Sequence, residues 1–419
     1  MFYSLVERRL TNGLRVIVNS DPSTPAVAVN LWYHVGSANE PTGSYGFAHL
    51  FEHLMFQGSA NVASGEHLAI IQANGGSANA TTSFDRTNYF QTVPTHALEL
   101  ALWLEAERMD GLQITQENLD NQREVVKEEK RQRYDNVPYG DALDQLLKLN
   151  FPDGHPYQHP AIGSEEDLDA AHLEQVIAFH SQWYRPGNAV LTLSGAVTDE
   201  QGFELAEHYF GGIPEGPEPE RAVTTRLPHH HGVPRVTVHS DVPQDMLFLS
   251  WLTPSLRTPE SLAVDQALSI LAEGQSSRLH NVLVRNEELA DGVGSSELGL
   301  SDGTSLALLT LRPRDGVSLE RLEERVTELI EELAEQGPTA AELDRALAGY
   351  ESSWLAELGS LDSRADAINE AATLLNNPNQ INEQLGAVQA ITAADIAGVF
   401  ADELNPGYYS AVEYRKAAN

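Results

Sequence analysis

Two histidines and one glutamate lie within five consecutive residues, at His49, Glu52 and His53. The surrounding segment, 46–58, is apolar and has a glycine at each end, which predicts a short buried helix. Residues four apart lie on the same face of a helix, so His49 and His53 can present two ring nitrogens to one point. That arrangement is half of a tetrahedral zinc site, and Glu52 lies close enough to take a proton from a water on the metal.

The same three residues could also be ordinary polar side chains that happen to fall in a core helix. Burying three polar groups costs several kcal/mol unless they share a strong partner. A metal ion is such a partner, so we favour a metal site over chance placement. The chain contains no cysteine, and histidine and carboxylate side chains must therefore supply all the ligands.

A catalytic zinc site takes a third protein ligand, which we expect from the charged helix predicted over 122–131. Helical spacing places both valines of this helix on one stripe with two polar residues: Gln122, Val125, Val126 and Glu129. That stripe should face the core, so Glu129 is predicted to point inward. Glu124 and Glu128 fall on the opposite, charged stripe and suit a solvated face. Glu129 is therefore the candidate third ligand.

The composition limits the class of protein and the kinds of partner. With 419 residues the chain is too long for one ordinary core, so at least two domains are expected. The sequence has neither a long uncharged apolar segment nor a recognisable secretory signal, which predicts no membrane span and a cytoplasmic location. A net charge of −35 disfavours nucleic acid and anionic membranes as partners. A basic peptide would be attracted, although we favour solubility as the main effect of this charge.

The chain order indicates two similar halves of the α+β class. Residues 168–176 align with 391–399, and each segment is followed by a Pro-Gly turn and a predicted strand. We therefore predict a domain over 1–214, a Pro-rich linker over 215–232 and a homologous domain over 233–419, each an antiparallel sheet packed with helices. The second half lacks the His-x-x-Glu-His motif and is expected to act as a scaffold, a substrate clamp or a dimer surface. Three histidines in the linker, 229–231, could bind metal only loosely.

Several separate motifs together resemble the pitrilysin/insulinase family of zinc peptidases, in which the zincin motif His-Glu-x-x-His is inverted. The chain is most similar to the short bacterial members related to the β-subunit of the mitochondrial processing peptidase. The resemblance covers nearly the whole chain. It rests on Asn12–Arg15, 46–58, Asn79–Ala80, Thr87 with Tyr89, His155–Tyr157, Asn188 with Gly195, and Ser277–Leu279.

This resemblance implies roles for individual residues. His49, His53 and Glu129 would be zinc ligands and Glu52 the general base. Asn79 and Ala80 would lie on the edge strand along which an extended peptide binds by strand addition. The fold implied is two homologous α+β domains that form half of a clamshell, with a second subunit supplying the other half.

Two positions depart from the family pattern. Gln122 stands where a second glutamate is frequent, so it would support the ligand Glu129 by hydrogen bonding but without charge. Many relatives also carry an Arg and a Tyr seven residues apart that help to hold substrate. Here Arg285 is followed seven residues later by Gly292. Either substrate is held differently, or a related partner subunit supplies the Arg/Tyr pair.

The sequence therefore predicts a zinc-dependent metalloendopeptidase that hydrolyses peptides or unstructured protein segments, using water activated by Glu52. The chain would act as a homodimer or as a heterodimer with a related subunit. The alternative is a partner-dependent or non-catalytic assembly subunit of a heterodimeric peptidase.

Overall fold

The computed structural model describes residues 2–221, 224–256 and 258–417. Residues 222 and 223 of the predicted linker lie outside the described residues. The helices are α1 (Phe47–Leu54), α2 (Glu66–Ala73), α3 (Leu98–Gly111), α4 (Gln116–Lys130), α5 (Ala142–Asn150), α6 (Glu165–Ala170), α7 (Leu173–Trp183), α8 (Asp199–Phe210), α9 (Pro259–Ala272), α10 (Leu319–Gln336), α11 (Ala340–Gly359), α12 (Leu361–Leu374), α13 (Gln380–Gln389) and α14 (Ala393–Asp402).

Two sheets organise the chain. The first has six strands, β1 (Val6–Arg9), β2 (Arg15–Ser20), β3 (Ala26–Tyr33), β4 (Ser77–Thr82), β5 (Thr87–Pro94) and β6 (Ala189–Gly195), in the order β1-β2-β6-β3-β5-β4. The second has five strands, β7 (Arg235–Ser240), β8 (Met246–Pro254), β9 (Ala290–Leu298), β10 (Thr304–Pro313) and β11 (Ser410–Lys416), in the order β7-β11-β8-β10-β9.

The predicted internal repeat is confirmed by topology. Strands β2, β6, β3, β5 and β4 of the first sheet correspond in order to β7, β11, β8, β10 and β9 of the second. The aligned segments lead into β6 and β11 respectively. The chain is thus an α+β protein with two homologous sheet-and-helix domains.

The prediction of purely antiparallel sheets was wrong at one strand pair in each sheet. Strand β2 is parallel to β6, and β7 is parallel to β11. Both pairs are joined by long connections that contain several helices, so no tight turn forces the strands to run in opposite directions.

The chain divides into two compact units that are interleaved along the sequence. Unit 1 contains Met1–Lys130, His159–Ala222 and Trp354–Glu383, and unit 2 contains Arg131–Gln158, Val223–Ser353 and Gln384–Asn419. The predicted domains, 1–214 and 233–419, are contiguous in sequence, and their boundaries remain a prediction.

The sheet of unit 1 is covered by helices on both faces. Alternation along the strands directs Gln91 of β5 toward α3, where its amide donates to Glu105 at 2.9 Å. Alternate positions face α12 instead, and Asp366 of that helix accepts hydrogen bonds from Asn30, Trp32 and Asn88 at 2.8–3.0 Å. A helix from late in the chain therefore completes the core of the first domain.

Unit 2 has a core built by its own sheet and helices. Apolar side chains from β8, β10 and β11 pack with those of α9, α10 and α14, and Trp251, Leu309 and Phe400 are fully buried there. None of the described helices is by itself both long enough and apolar enough to cross a membrane. Helices α13 and α14 reach that length and apolar character only when taken together, and the pair is bent by 94°.

Candidate metal centre

Helix α1 carries the histidine motif and is fixed at its N-terminal end by a buried carboxylate. Gly46 precedes the helix with φ of 105°, a conformation that favours glycine. The amides of Gly46 and Ala48 each donate to Glu40 at 2.7 Å, and Nε2 of His159 lies 2.9 Å from the same carboxylate. Burial raises the pKa of Glu40, and its contact with His159 opposes that shift. The carboxylate thus accepts hydrogen bonds from amides at the start of the helix, and its negative charge interacts favourably with the positive end of the helix dipole.

The apolar side of α1 faces the core and leaves the polar residues together. Phe47, Leu50, Phe51 and Leu54 are buried. The rings of His49 and His53 lie 4.9 Å apart at an angle of 80°, as expected for residues four apart on one helix face.

The structure brings Glu129 of α4 to these two histidines. Oε2 of Glu129 lies 3.8 Å from Nε2 of His49 and 3.3 Å from Nε2 of His53. One ligand atom from each residue lies within 4.8 Å of the others, and no other group of this kind occurs among the described residues. A tetrahedral zinc ion with bonds of about 2.0–2.1 Å needs ligand atoms about 3.3 Å apart. The Glu129–His53 separation equals this value and the Glu129–His49 separation is wider, so the group has the donor atoms of such a site in close proximity.

Helix α4 orients its glutamates as predicted, although one valine differs. Glu129 is half-buried, whereas Glu124 and Glu128 are exposed. Gln122 and Val126 are buried, but Val125 is 47% exposed, so its expected place in the core was wrong. The inward-facing stripe consists of Gln122, Val126 and Glu129, with spacings of four and three residues. Val125 lies at the margin of that stripe.

Glu52 is half-buried beside the ligand group. The hydroxyl of Thr82, on strand β4, donates to its Oε2 at 2.7 Å. Burial raises the pKa of Glu52, the hydrogen bond from Thr82 lowers it, and the neighbouring carboxylate of Glu129 raises it further. Neither Thr82 nor Glu40 was predicted from the sequence. The strand periodicity of β4 was the one available signal, since it places Thr82 on the same face as Ala80.

The predicted peptide-binding residues lie at an edge of the first sheet. Strand β4 is the last strand in the sheet order and pairs with β5 on one side. Asn79 is exposed, and Ala80 is buried opposite Tyr89. The structure thus places both residues on an edge strand, which has the free backbone groups that strand addition needs.

Other predicted residues lie in unit 2. Arg285 donates to Asn281 at 3.2 Å, and Gly292 lies on β9. Within the linker, His229 stacks on Tyr408 with ring centres 4.7 Å apart, and the ring of His230 contacts Asn150 at 3.0 Å. These histidines have separate partners and do not form a metal group among the described residues.

Two histidines with one glutamate form the ligand set of catalytic zinc in several metallopeptidases, and the α+β fold presents that set here. Residues 15–161 match the family model described as "Insulinase (Peptidase family M16)", and residues 170–350 match the one described as "Peptidase M16 inactive domain". The chain belongs to this insulinase family, peptidase family M16.

Relatives and solved structures agree with that assignment. The zinc protease PqqE of Helicobacter pylori is 33% identical over 356 residues, covering 84% of this chain and 79% of the relative. An uncharacterized zinc protease of Mycobacterium bovis is 27% identical over 416 residues, or 98% and 93% of the two chains. The crystal structure of a protease from Helicobacter pylori superposes with a TM-score of 0.92 at 28% identity, covering 99% of this chain and 100% of the other.

Proposed function

We propose that the chain is a zinc-dependent metalloendopeptidase that hydrolyses peptides or unstructured protein segments. The observation that carries the proposal is the convergence of His49, His53 and Glu129 within 4.8 Å, next to Glu52. The names of the relatives support zinc as the metal and peptides as the substrate class.

His49, His53 and Glu129 would hold the ion through two ring nitrogens and one carboxylate oxygen. Bound zinc polarises a carbonyl and lowers the pKa of water, which is the chemistry this reaction needs. Glu52 takes a proton from the attacking water and delivers it to the nitrogen of the departing amine. Gln122, buried on the same stripe as Glu129, would help to orient that ligand.

The substrate would bind in an extended conformation. Asn79 and Ala80 lie on β4, whose outer edge can pair with the backbone of an added strand. A folded segment does not present its backbone in this way, so unstructured peptides are the favoured substrates. The net charge of −35 would speed the approach of basic peptides.

The alternative is a partner-dependent or non-catalytic subunit. The match of residues 170–350 to a family model described as an inactive domain favours this reading for the second half, and Gly292 occupies the position of the expected Tyr. Two kinds of experiment distinguish the peptidase from the partner-dependent subunit. The metal content and size of the purified chain are measured, and peptide cleavage is assayed with the chain alone and after addition of a related subunit. Cleavage by the chain alone supports the peptidase, and cleavage that requires the added subunit supports the alternative.

The sharper test is Glu52→Gln. We expect this variant to retain zinc and to lose cleavage of an unstructured peptide by about 100-fold or more, the usual contribution of a general base. Glu128→Gln, an exposed glutamate on the ligand helix, is the matched control and should cleave normally. Wild-type cleavage rates in Glu52→Gln would show that Glu52 is not the base.

A further inference from the structure

One hydrogen bond connects Glu52 to the rest of the protein through its side chain. The hydroxyl of Thr82 donates to Oε2 of Glu52 at 2.7 Å. Among the described residues, no other hydrogen bond reaches this carboxylate. The second oxygen, Oε1, therefore remains available to accept a proton, while the hydrogen bond from Thr82 fixes the position of Oε2.

The donor is rigidly placed. Thr82 lies on β4 directly opposite Thr87 of β5, so its backbone is fixed by the sheet. Its neighbour Thr81 faces the other side of the strand, where its hydroxyl contacts Asn88 at 2.6 Å. A β-branched side chain has few rotamers, and its hydroxyl direction is correspondingly well defined. The hydrogen bond thus joins two fixed elements, α1 and β4.

We propose that Thr82 is the positioning residue for Glu52, which rests on the peptidase function proposed above. By holding Oε2, its hydroxyl directs Oε1 toward the proton that Glu52 must take. Thr82 is two residues from Ala80 on the strand that would pair with the substrate. One strand would therefore set both the position of the peptide and the direction of the base.

Thr82→Val tests this proposal because valine keeps the shape and removes the hydroxyl. We expect kcat for an unstructured peptide to fall at least about tenfold, since small misplacements of a catalytic group cost this much or more. KM should change less than about twofold and zinc content should stay at one per chain, because the substitution leaves the backbone of β4 and all three proposed ligands in place. Thr82→Ser restores the hydroxyl and should recover most of kcat.

Thr253→Val is the matched control. Thr253 is a strand residue of unit 2 whose hydroxyl donates to Glu297 at 3.2 Å, so the substitution removes the same type of Thr–Glu hydrogen bond in the unit that does not contain the candidate metal centre. This variant should match the wild type in kcat, KM and zinc content. An equal loss of kcat in Thr253→Val would mean that general destabilisation explains the effect and would overturn the proposal.

A crystal structure of metal-free Thr82→Val provides a readout independent of activity. We expect the Glu52 carboxylate to leave its wild-type position in Thr82→Val and to keep it in Thr82→Ser. An unmoved carboxylate, a wild-type kcat, or a loss of kcat no larger than the loss of zinc would each overturn the role of Thr82. If the zinc-loaded wild type cleaved no peptide, the proposed function would fail instead, and the crystallographic comparison would still decide whether Thr82 holds Glu52.

Discussion

Oε2 of Glu129 lies 3.3 Å from Nε2 of His53, although the two residues are on different helices and far apart in the sequence. This distance matches the separation of about 3.3 Å between two ligands of a tetrahedral zinc ion. Helix α1 alone offers two candidate ligands, so the approach of α4 would complete the proposed three-ligand site.

Glu129→Ala should therefore weaken zinc binding by more than about 100-fold. Changes to residues that only support a ligand already cost about 10–100-fold in affinity, and removal of the ligand itself should cost more. Zinc affinity measured by chelator competition checks the prediction. Glu128→Ala, one residue away and exposed, is the control and should bind zinc normally. Normal affinity in Glu129→Ala would exclude Glu129 as a ligand.

Glu40→Ala should destabilise the start of α1. It leaves the amides of Gly46 and Ala48 without their carboxylate acceptor, which costs about 2–6 kcal/mol because each unsatisfied donor costs about 1–3 kcal/mol. Because α1 also carries two of the proposed ligands, zinc affinity should fall as well. Urea unfolding and chelator competition measure the two effects.

The control for Glu40→Ala is Ser164→Ala at the start of α6. Ser164 caps that helix by accepting from the amide of Asp167 at 3.2 Å, and loss of such a cap costs about 1 kcal/mol. Zinc affinity should be unchanged in this variant. If both variants lost equal stability and kept full affinity, Glu40 would be an ordinary helix cap without influence on the metal centre.

Local periodicity explains which parts of the site could be predicted from sequence. His49 and His53 share a helix face by their spacing, and Glu129 follows from the stripe that also holds Val126. Val125 was misplaced because it lies at the margin of the stripe formed by Gln122, Val126 and Glu129, where tertiary packing decides burial. Thr82 could not be assigned, since the distance from α1 to β4 depends on how the whole unit packs.

The fold, like the site, was predictable only where a local pattern specifies it. The repeat was visible because the two copies keep the same Pro-Gly turn before a strand. The packing of α12 on the first sheet could not be predicted, because its polar contacts connect Asp366 to strand residues more than 270 positions away. No local pattern specifies a partner at that separation.

Asp366→Ala should test this long-range packing. Asp366 accepts from Asn30, Trp32 and Asn88, so its removal leaves three buried donor residues without this acceptor. We expect a loss of about 3 kcal/mol or more in the free energy of unfolding of unit 1. Asp344→Ala, an exposed residue on α11, should change stability by less than about 0.5 kcal/mol. Equal effects in the two variants would mean that the Asp366 contacts contribute little.

Glu297 should make the stability of unit 2 depend on pH. Its pKa is raised from 4.5 to about 8 in the folded protein. Burial is the main cause and the charge of nearby Asp265 contributes, whereas the hydrogen bond from Thr253 opposes the shift. The folded state thus binds the proton more tightly than the unfolded state between pH 4.5 and about 8. The stabilisation is complete below pH 4.5 and is lost as the pH rises through about 8.

Glu297→Gln removes this titration while keeping an oxygen that can accept from Thr253. Relative to this variant, the wild type should lose stability progressively between about pH 5 and pH 8 in urea unfolding experiments. Glu331→Gln, an exposed residue of α10, is the control, and its stability difference from the wild type should stay flat. A flat difference for Glu297→Gln would mean that Glu297 is ionised in the folded protein throughout this range, because solvent or a neighbouring group compensates for its burial.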